Sequence, residues 1–189
     1  MYIVFEGIDN SGKSTQIELV KERLNLLFKN DGDEVNVVTI AEKEIPSSEM
    51  VNPEDEVELM LRFALQRRIL HNSLDSDYFM KDNTAILLSD RSYYSSMAYQ
   101  SRYTLCSDYI KKVNSFVPEP SMIFFFDRGE PDNPALREVY NNYRKVLPLS
   151  SIYVNTKNYP LTRTTNYIVK HIIRKYDELF PNLLNNTRI

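Results

Sequence analysis

Residues 7–14 read GIDNSGKS, and this segment constrains the fold more than any other part of the chain. It fits the pattern G-x-x-x-x-G-K-[ST], follows a short apolar run, and opens a helical pattern of apolar residues. Its glycines let the backbone curl so that N–H groups converge on phosphate oxygens at the positive end of a helix. Lys13 then reaches the β- and γ-phosphates, and the Ser14 hydroxyl can bind Mg²⁺. The sequence therefore predicts a nucleoside triphosphate site, since the flanking patterns disfavour a chance match in a glycine-containing turn.

Apolar runs alternate with helical patterns along the chain, which is typical of a parallel α/β fold. The predicted strands are 2–6, 35–40, 85–89, 122–126 and 152–154. The predicted helices are 13–28, 53–73, 94–116, 134–145 and 161–179. Polar segments at 31–34 and 42–55 are predicted to be a turn and a rim loop. Because the strands are almost wholly apolar, helices should cover both faces of the sheet. We expect a three-layer α/β P-loop NTPase fold with a five-stranded parallel sheet, as one domain over residues 1–189.

Composition narrows the class of protein and its location. The 189 residues carry a formal net charge of −3, which argues against a dedicated nucleic-acid binder. Cys106 is the only cysteine, so a disulfide framework is excluded and a reducing compartment is expected. No apolar run approaches the roughly 18 residues of a membrane span, and the predicted strand at the start leaves no room for a signal peptide. We therefore expect a cytoplasmic protein without a membrane partner.

Polar side chains follow the predicted strands, at the sheet edge where ligands bind in such folds. They are Asp9, Lys43, Asp90, Arg91, Asp127, Arg128 and Asn155. A carboxylate such as Asp90 after a strand that neighbours the P-loop is where these enzymes hold Mg²⁺, usually through water, and Arg91 beside it can bind a phosphate with two parallel hydrogen bonds. The alternative is an Asp90 helix cap beside a solvated arginine.

Four segments together resemble the thymidylate kinase family. Residues 5–16 read FEGIDNSGKSTQ and are similar to its F-E-G-x-D-x-x-G-K-[ST]-T-Q pattern, and residues 90–100 read DRSYYSSMAYQ and are similar to D-R-Y-x-x-S-x-x-A-[YF]-Q. Residues 61–67, LRFALQR, resemble L-x-F-x-A-x-R, and residues 117–121, VPEPS, resemble L-P-x-P-D. The segments keep the family's order and spacing over nearly the whole chain. The resemblance implies a P-loop nucleoside monophosphate kinase.

The family's reaction supplies roles for individual residues. In that reaction ATP and dTMP give ADP and dTDP, with Mg²⁺ bridging the phosphates, as a step toward dTTP. By resemblance, Asp9 accepts a hydrogen bond from the 3′-hydroxyl of dTMP, Arg91 binds its phosphate and Asp90 helps order the metal. Phe63 stacks on thymine and Arg67 donates to its O4, which their spacing of four on one helical face permits. The residues implied to line base and sugar are Ser95, Tyr99 and Gln100, with Tyr99 crowding the 2′ position.

The remaining assignments complete the predicted site. The residues assigned to ATP are Gly7, Asp9, Asn10, Ser11, Gly12, Lys13, Ser14, Thr15 and Asn155. The residues assigned to catalysis are Lys13, Asp9, Arg91 and Arg128, and those assigned to Mg²⁺ are Ser14 and Asp90. Lys43 joins the substrate set, together with Asp9, Phe63, Arg67, Arg91, Ser95, Tyr99 and Gln100. The resemblance also implies a homodimer through helices near 53–73 and 94–116.

Three departures from the family pattern bear on activity. The T-R-E-P-G segment after the second strand is absent, so Lys43 is the only nearby cation, and it lacks an arginine's paired donors. Ser92 replaces the tyrosine of D-R-Y. The lid, about residues 127–136, is a dozen or more residues shorter than in the family, and Asn10 is neutral where one subclass has a basic residue. Arg128 and Arg137 are the candidate cations that remain, and Arg128 is preferred because it directly follows the fourth strand.

Two alternatives therefore stay open beside a dTMP kinase. An acid-Arg-Ser segment after a strand is also found in deoxynucleoside kinases, although their P-loops lack the aspartate pattern seen here. The short lid also fits a nucleotide-binding regulatory protein with little transferase activity. The complete metal- and phosphate-binding set, Lys13, Ser14, Asp9, Asp90 and Arg91, favours an active kinase.

Overall fold

The computed structural model of the chain describes residues 1–31, 35–42, 55–75, 85–100 and 107–181. The described strands are β1 Tyr2–Glu6, β2 Val37–Ala41, β3 Ile86–Asp90, β4 Met122–Asp127 and β5 Ile152–Asn155. The described helices are α1 Lys13–Asp31, α2 Glu56–Asp75, α3 Tyr93–Gln100, α4 Ser107–Val113, α5 Pro134–Val146 and α6 Leu161–Leu179. The five strands form one parallel sheet in the order β2-β3-β1-β4-β5. The predicted α/β fold is confirmed, and each strand lies within two residues of its predicted bounds.

Helices cover both faces of the sheet, as the apolar strands predicted. Successive side chains of a strand point to opposite faces, so Val4 packs into the core on one face while Ile3 and Phe5 pack into the core on the other. Helices α1 and α6 cover the face of Phe5, and helices α2, α3, α4 and α5 cover the face of Val4. No helix in the described residues is long and apolar enough to cross a membrane.

Three predicted helices differ from the structure by more than one residue, and the first of them, α1, extends to Asp31 rather than ending at residue 28. Helix α2 begins at Glu56 rather than at residue 53, because the Asp55 carboxylate caps it by accepting hydrogen bonds from the backbone N–H groups of Val57 at 2.9 Å and Glu58 at 3.1 Å. The single predicted helix 94–116 is wrong, since two separate helices, α3 and α4, are described there. Residues 101–106 between them, and most of the predicted turn and rim loop, lie outside the described residues.

The topology places a crevice at the carboxyl ends of the central strands. Helix α1 leaves β1 toward one face of the sheet, and α3 leaves the neighbouring strand β3 toward the other face. Phe5 and Asp90 are paired in register at the ends of these two strands. In open α/β sheets ligands bind where adjacent connections diverge in this way.

Candidate active site

The loop of residues 7–14 requires glycine at two positions. Gly7 and Gly12 have φ values of +147° and +93°, which side-chain-bearing residues rarely adopt. A Cβ atom on Gly7 would also lie 2.9 Å from the carbonyl oxygen of Phe126 on β4. The loop therefore packs so closely against the neighbouring strand that only glycine fits at its start, as the sequence motif predicted.

The Lys13 ammonium group lies inside this loop. Its Nζ donates to the carbonyl oxygens of Gly7 at 3.0 Å and Ile8 at 2.9 Å, and to Ser11 Oγ at 3.3 Å. The residue is 5% exposed. Burial, with a smaller contribution from the charge of Arg91, lowers the pKa of Lys13 to about 8. A charge this poorly hydrated is available to phosphate oxygens that enter the loop.

Ser14 and Asp90 form the predicted metal-binding pair. Ser14 Oγ donates to Asp90 Oδ2 at 2.5 Å, which joins the first turn of α1 to the end of β3. A hydroxyl and a carboxylate are oxygen donors of the kind that Mg²⁺ prefers. Within the described ranges no cluster of three or more His, Cys, Asp or Glu side chains could hold a metal ion. The pair therefore fits Mg²⁺ that completes its coordination with phosphate oxygens and water, rather than a metal caged by protein alone.

Arg91 is strained in its backbone and supported along its side chain. Its φ is +76°, and its N–H donates to the carbonyl oxygen of Phe5 at 3.0 Å. Nη2 forms an ion pair with Asp9, and Nη1 donates to Ser95 Oγ at 3.2 Å. The guanidinium carbon lies 5.1 Å from the centre of the Tyr99 ring. Residues in such backbone conformations concentrate at functional sites, where surrounding contacts maintain the strain.

Glu6 is a fully buried carboxylate directly behind Arg91. Oε1 accepts from the backbone N–H of Ser92 at 2.9 Å and from its hydroxyl at 2.7 Å. Oε2 lies 2.6 Å from Ser95 Oγ and 3.1 Å from the Tyr143 hydroxyl, within hydrogen-bond distance of both. Burial raises the pKa of Glu6, against the opposing effect of the serine hydroxyls. Ser95, predicted to line the substrate, is thus also part of the hydrogen-bond network that supports Arg91.

Arg67 is paired inside the protein. It is 3% exposed, and it contacts both carboxylate oxygens of Glu42, with Nε–Oε1 at 2.5 Å and Nη2–Oε2 at 2.9 Å. It also donates to Ser96 Oγ at 2.7 Å and Asn114 Oδ1 at 3.0 Å. Four of the roughly five N–H donors of a guanidinium are therefore engaged. Burial raises the pKa of the Glu42 carboxyl, and the charge of Arg67 opposes that shift. The Phe63 ring lies 5.9 Å from the Arg67 guanidinium, on the same helix face.

A cleft of about 810 Å³ collects most of the predicted side chains. Its lining residues are Asp9, Asn10, Lys13, Ser14, Glu42, Glu56, Leu59, Phe63, Asp90, Arg91, Ser95, Ser96, Tyr99 and Gln100. Gln100 is 4% exposed, and its Oε1 has no hydrogen-bond partner among the described residues. Arg67 does not line this cleft, and Lys43 lies outside the described residues.

Comparisons with known proteins agree with this geometry. The profile of the thymidylate kinase family matches residues 5–150. The chain belongs to the thymidylate kinase family. A probable thymidylate kinase of Methanosphaera stadtmanae is 34% identical over 141 residues, which cover 70% of this chain and 69% of that protein. A probable thymidylate kinase of Sulfurisphaera tokodaii is 32% identical over 189 residues, which cover 94% of this chain and 90% of that protein.

A solved structure supports the fold. A crystal structure of thymidylate kinase from Ehrlichia chaffeensis superposes with a TM-score of 0.72, covering 92% of this chain and 98% of that one at 23% identity. At that identity the likeness shows the P-loop NTPase fold alone. The family membership makes this protein a nucleotide-phosphorylating transferase, consistent with its P-loop.

The two lid arginines differ in their contacts. Arg128 follows β4 and donates from Nη1 to the carbonyl oxygen of Asn10 in the P-loop at 2.9 Å. Arg137 instead donates to the backbone carbonyls of Pro131 and Asp132, both at 3.2 Å, and pairs with a carboxylate of the same segment. In this thymidylate kinase family member Arg128 therefore contacts the phosphate-binding loop, whereas Arg137 contacts the backbone of its own segment.

Asn155 has a local role in the structure. Its Oδ1 accepts from the backbone N–H groups of Lys157 and Asn158, both at 3.1 Å, so the side chain stabilises the turn after β5. Thr15 is exposed on the first turn of α1. Neither side chain is among the residues that line the cleft, and the predicted contact of both with ATP stays a prediction.

Several residues of the site were not predicted from the sequence: Glu42, Glu56, Leu59 and Ser96 in the cleft lining, and Tyr143 beside it. Glu42 pairs with Arg67, and the Tyr143 hydroxyl on α5 contacts Arg91. For Glu42, a carboxylate following an apolar strand was a usable signal. For Tyr143 the sequence shows only an aromatic residue on the buried face of a helix, which most often reflects packing.

Proposed function

We propose that the protein transfers the γ-phosphoryl group of ATP to dTMP, giving ADP and dTDP. The observation that carries this proposal is that one cleft brings phosphate-binding groups together with side chains suited to a nucleoside. The phosphate-binding groups are Lys13, Ser14, Asp90 and Arg91. The side chains suited to a base and sugar are Phe63, Tyr99 and Gln100. This combination fits a nucleoside monophosphate as the acceptor, in keeping with the family.

The charges of the cleft favour a divalent cation beside ATP. Four carboxylates line it, Asp9, Glu42, Glu56 and Asp90, against two cations, Lys13 and Arg91. Arg67 neutralises Glu42 from the side away from the cleft, and the charges of Asp9 and Asp90 balance those of Lys13 and Arg91 before any phosphate enters. Mg²⁺ held by Ser14 and Asp90 would supply the positive charge that bridges and neutralises phosphate oxygens.

Lys13 of the P-loop and Arg91 after β3 are proposed to bind the phosphates of different substrates. Lys13 exchanges the carbonyl oxygens of its own loop for the β- and γ-phosphates of ATP. Arg91 exchanges Asp9 for the phosphate of dTMP, which its planar fork of donors matches. Asp9 is then free to accept the 3′-hydroxyl of the sugar, and Tyr99 lies under Arg91 where it can crowd a 2′-hydroxyl.

The base is proposed to lie between Phe63 and Gln100. The buried Gln100 Oε1, which has no partner among the described residues, suits an N–H donor such as N3–H of thymine. Within the part of the chain that the structure describes, Arg67 has one Nη1 hydrogen left beyond its contacts to Glu42, Ser96 and Asn114, and that hydrogen is proposed to donate to O4. Cytosine presents donors where thymine presents O4, so it leaves buried groups unpaired and is disfavoured.

Arg128 is proposed to supply the lid cation. Its contact with the Asn10 carbonyl fixes it beside the P-loop, from which the guanidinium can reach charge that develops on the transferred group. Residues 1–189 are proposed to form one kinase domain, with a short lid at about 127–136. A cytoplasmic location stays a prediction from the sequence.

A homodimer forms part of the proposal. Leu61, Leu65 and Ile69 lie four residues apart along α2 and are 45%, 60% and 61% exposed, so they form an apolar stripe. Tyr109 on the neighbouring α4 is 44% exposed. We expect sedimentation velocity to give a dimer for the wild type and a monomer for Leu65→Glu, with Leu149→Glu, an exposed residue on another part of the molecule, as the matched control. A monomeric wild type, or a dimeric Leu65→Glu variant, would contradict this interface.

The reaction is tested by coupled ADP release with ATP·Mg²⁺ and a panel of acceptors: dTMP, dUMP, dCMP, dGMP and thymidine. We expect the highest kcat/KM for dTMP, dUMP second, and dCMP lower by several powers of ten. Turnover of thymidine in preference to dTMP would favour a deoxynucleoside kinase. Nucleotide binding without turnover of any acceptor would favour a regulatory protein.

A further inference from the structure

A fully buried tyrosine on α5 touches the guanidinium group that faces the cleft. The Tyr143 side chain has no exposed surface, and its hydroxyl accepts a hydrogen bond from Arg91 Nη1 at 3.2 Å. The same hydroxyl lies 2.7 Å from Ser95 Oγ and 3.1 Å from Glu6 Oε2. Tyr143 is not among the residues that line the cleft, so it contacts Arg91 from the side away from the cleft.

The number of hydroxyl hydrogens limits this network to two arrangements. Ser95 and Tyr143 each have a single hydroxyl hydrogen, and an ionised Glu6 can only accept. Either Ser95 donates to Glu6 and receives from Tyr143, or Tyr143 donates to Glu6 and receives from Ser95. In both arrangements one hydroxyl donates to Glu6 and the other hydroxyl donates to the first. Lone pairs on both oxygens are then left for Arg91 Nη1, which donates to each at 3.2 Å.

The two terminal nitrogens of the Arg91 guanidinium therefore have different partners. Nη1 is engaged with the buried hydroxyls, whereas Nη2 reaches Asp9, whose side chain is 57% exposed. The Tyr143 ring also packs edge-on against Tyr99, with ring centres 6.1 Å apart, and Tyr99 lies under the guanidinium. The orientation of the fork is therefore determined by contacts along one edge and one face.

We propose that Tyr143 is a positioning residue for the acceptor phosphate. Its hydroxyl, polarised by Glu6, holds Nη1 of Arg91 so that Nη2 stays directed at the cleft. The inference rests on the proposed function in one respect, namely that Arg91 binds the phosphate of dTMP. Tyr143 lies on α5, so the support for Arg91 comes from the helix that follows β4 in the chain.

The same helix offers a matched control. Tyr140 is also buried, at 7% exposed, and its hydroxyl also donates to a carboxylate, Asp127, at 3.2 and 3.3 Å. Tyr143→Phe and Tyr140→Phe each remove one buried hydroxyl and keep the ring. We expect Tyr143→Phe to raise KM for dTMP about tenfold or more, because a hydrogen bond to a charged group is lost. KM for ATP should change by less than about twofold in Tyr143→Phe, and both constants by less than about twofold in Tyr140→Phe.

A background variant separates positioning from general structural damage. With Arg91→Lys the fork is absent, so adding Tyr143→Phe should leave KM for dTMP unchanged. A further tenfold rise in that background would show that the tyrosine acts through packing and would overturn the inference. An unchanged KM for dTMP in Tyr143→Phe alone would also overturn it while leaving the proposed function intact.

A crystal structure of the Tyr143→Phe variant tests the inference without reference to activity. We expect the Arg91 guanidinium to leave its wild-type position beside Ser95. A guanidinium in the wild-type orientation would overturn the proposal. If the wild type itself does not phosphorylate dTMP, the proposed function fails, and this crystallographic comparison alone decides whether Tyr143 orients Arg91.

Discussion

Two arginines stand beside the cleft, and they differ in what their guanidinium groups contact. Arg91 has a side chain that is 19% exposed and is paired with Asp9, a carboxylate that is itself 57% exposed. Arg67 is 3% exposed and is paired with Glu42, whose side chain is 6% exposed. The first ion pair is accessible to solvent, so Arg91 can exchange its partner, whereas both side chains of the second pair are buried.

The difference shows that burial of the partner, rather than residue type, separates an arginine that can exchange its carboxylate for a phosphate from one that keeps its carboxylate. Breaking a solvent-facing pair costs little, because water and an incoming phosphate replace the carboxylate. Breaking a buried pair leaves a charge without hydration, which costs several kcal/mol. Arg91 is therefore suited to binding a phosphate, and Arg67 is suited to holding β2, α2, α3 and Asn114 in register.

Arg91→Ala should have the largest effect on catalysis. We expect kcat/KM for dTMP to fall by about 10³-fold, because a charge-assisted contact to the phosphate is lost from a confined site. The free energy of unfolding should fall by less than on removal of Arg67, since the Asp9 partner is exposed and Glu6 keeps its hydrogen bonds from Ser92. Steady-state kinetics and urea unfolding measure the two quantities. A loss of activity below about tenfold would show that the acceptor phosphate binds elsewhere.

Removal of Arg67 should act mainly on stability. Arg67→Met leaves the Glu42 carboxylate buried without a partner, so we expect the free energy of unfolding to fall by about 3–5 kcal/mol. Adding Glu42→Leu removes that charge as well and should recover most of the loss. Urea unfolding of the two single variants and the double variant gives the coupling. Additive losses in the double variant would contradict the description of a buried pair.

The contrast also explains how far the sequence could predict the site. The P-loop was predictable because glycine spacing and the following lysine act within eight residues of chain, and Gly7 proved to be required by its contact with Phe126. The pairing of Arg67 with Glu42 joins residues 25 positions apart on different elements. No local spacing encodes such a contact, since it depends on how α2 packs beside the end of β2.

The helices illustrate the same limit. Helix α6 was predicted at its observed bounds, Leu161–Leu179, because a long amphipathic pattern follows Pro160. The division between α3 and α4 was missed, since apolar residues continue at helical spacing across 94–116. Tyr143 was predicted to be part of a helix, but its contact with Arg91 depends on α5 packing against α3.

Arg128 and Arg137 provide a comparison within the lid. We expect Arg128→Ala to lower kcat by about two powers of ten with a modest change in KM, the pattern of a contact made mainly in the transition state. Arg137→Ala should change kcat by less than about threefold, because that side chain is engaged with its own segment. Equal effects of the two substitutions, or none from either, would assign the lid cation to another residue.

The smallest expected effect is a pH dependence that arises from Lys13. The pKa of this buried lysine is lowered to about 8, so the free enzyme loses the charge as pH rises through that value. We expect kcat/KM for ATP to fall above about pH 8 while kcat stays level, because bound phosphate favours the protonated lysine. The lysine's contribution to the free energy of unfolding should rise between about pH 8 and 10.5, since the unfolded chain binds the proton more tightly. A pH-independent kcat/KM for ATP from pH 7 to 10 would contradict the low pKa.

A crystal structure of the complex with dTMP tests the division between the two arginines most directly. The account predicts that the dTMP phosphate contacts Nη2 of Arg91, that Asp9 has released this guanidinium, and that both bonds between Arg67 and Glu42 remain. A phosphate bound elsewhere while Arg91 still contacts Asp9, or an Arg67 that has left Glu42 to bind the phosphate, would contradict it.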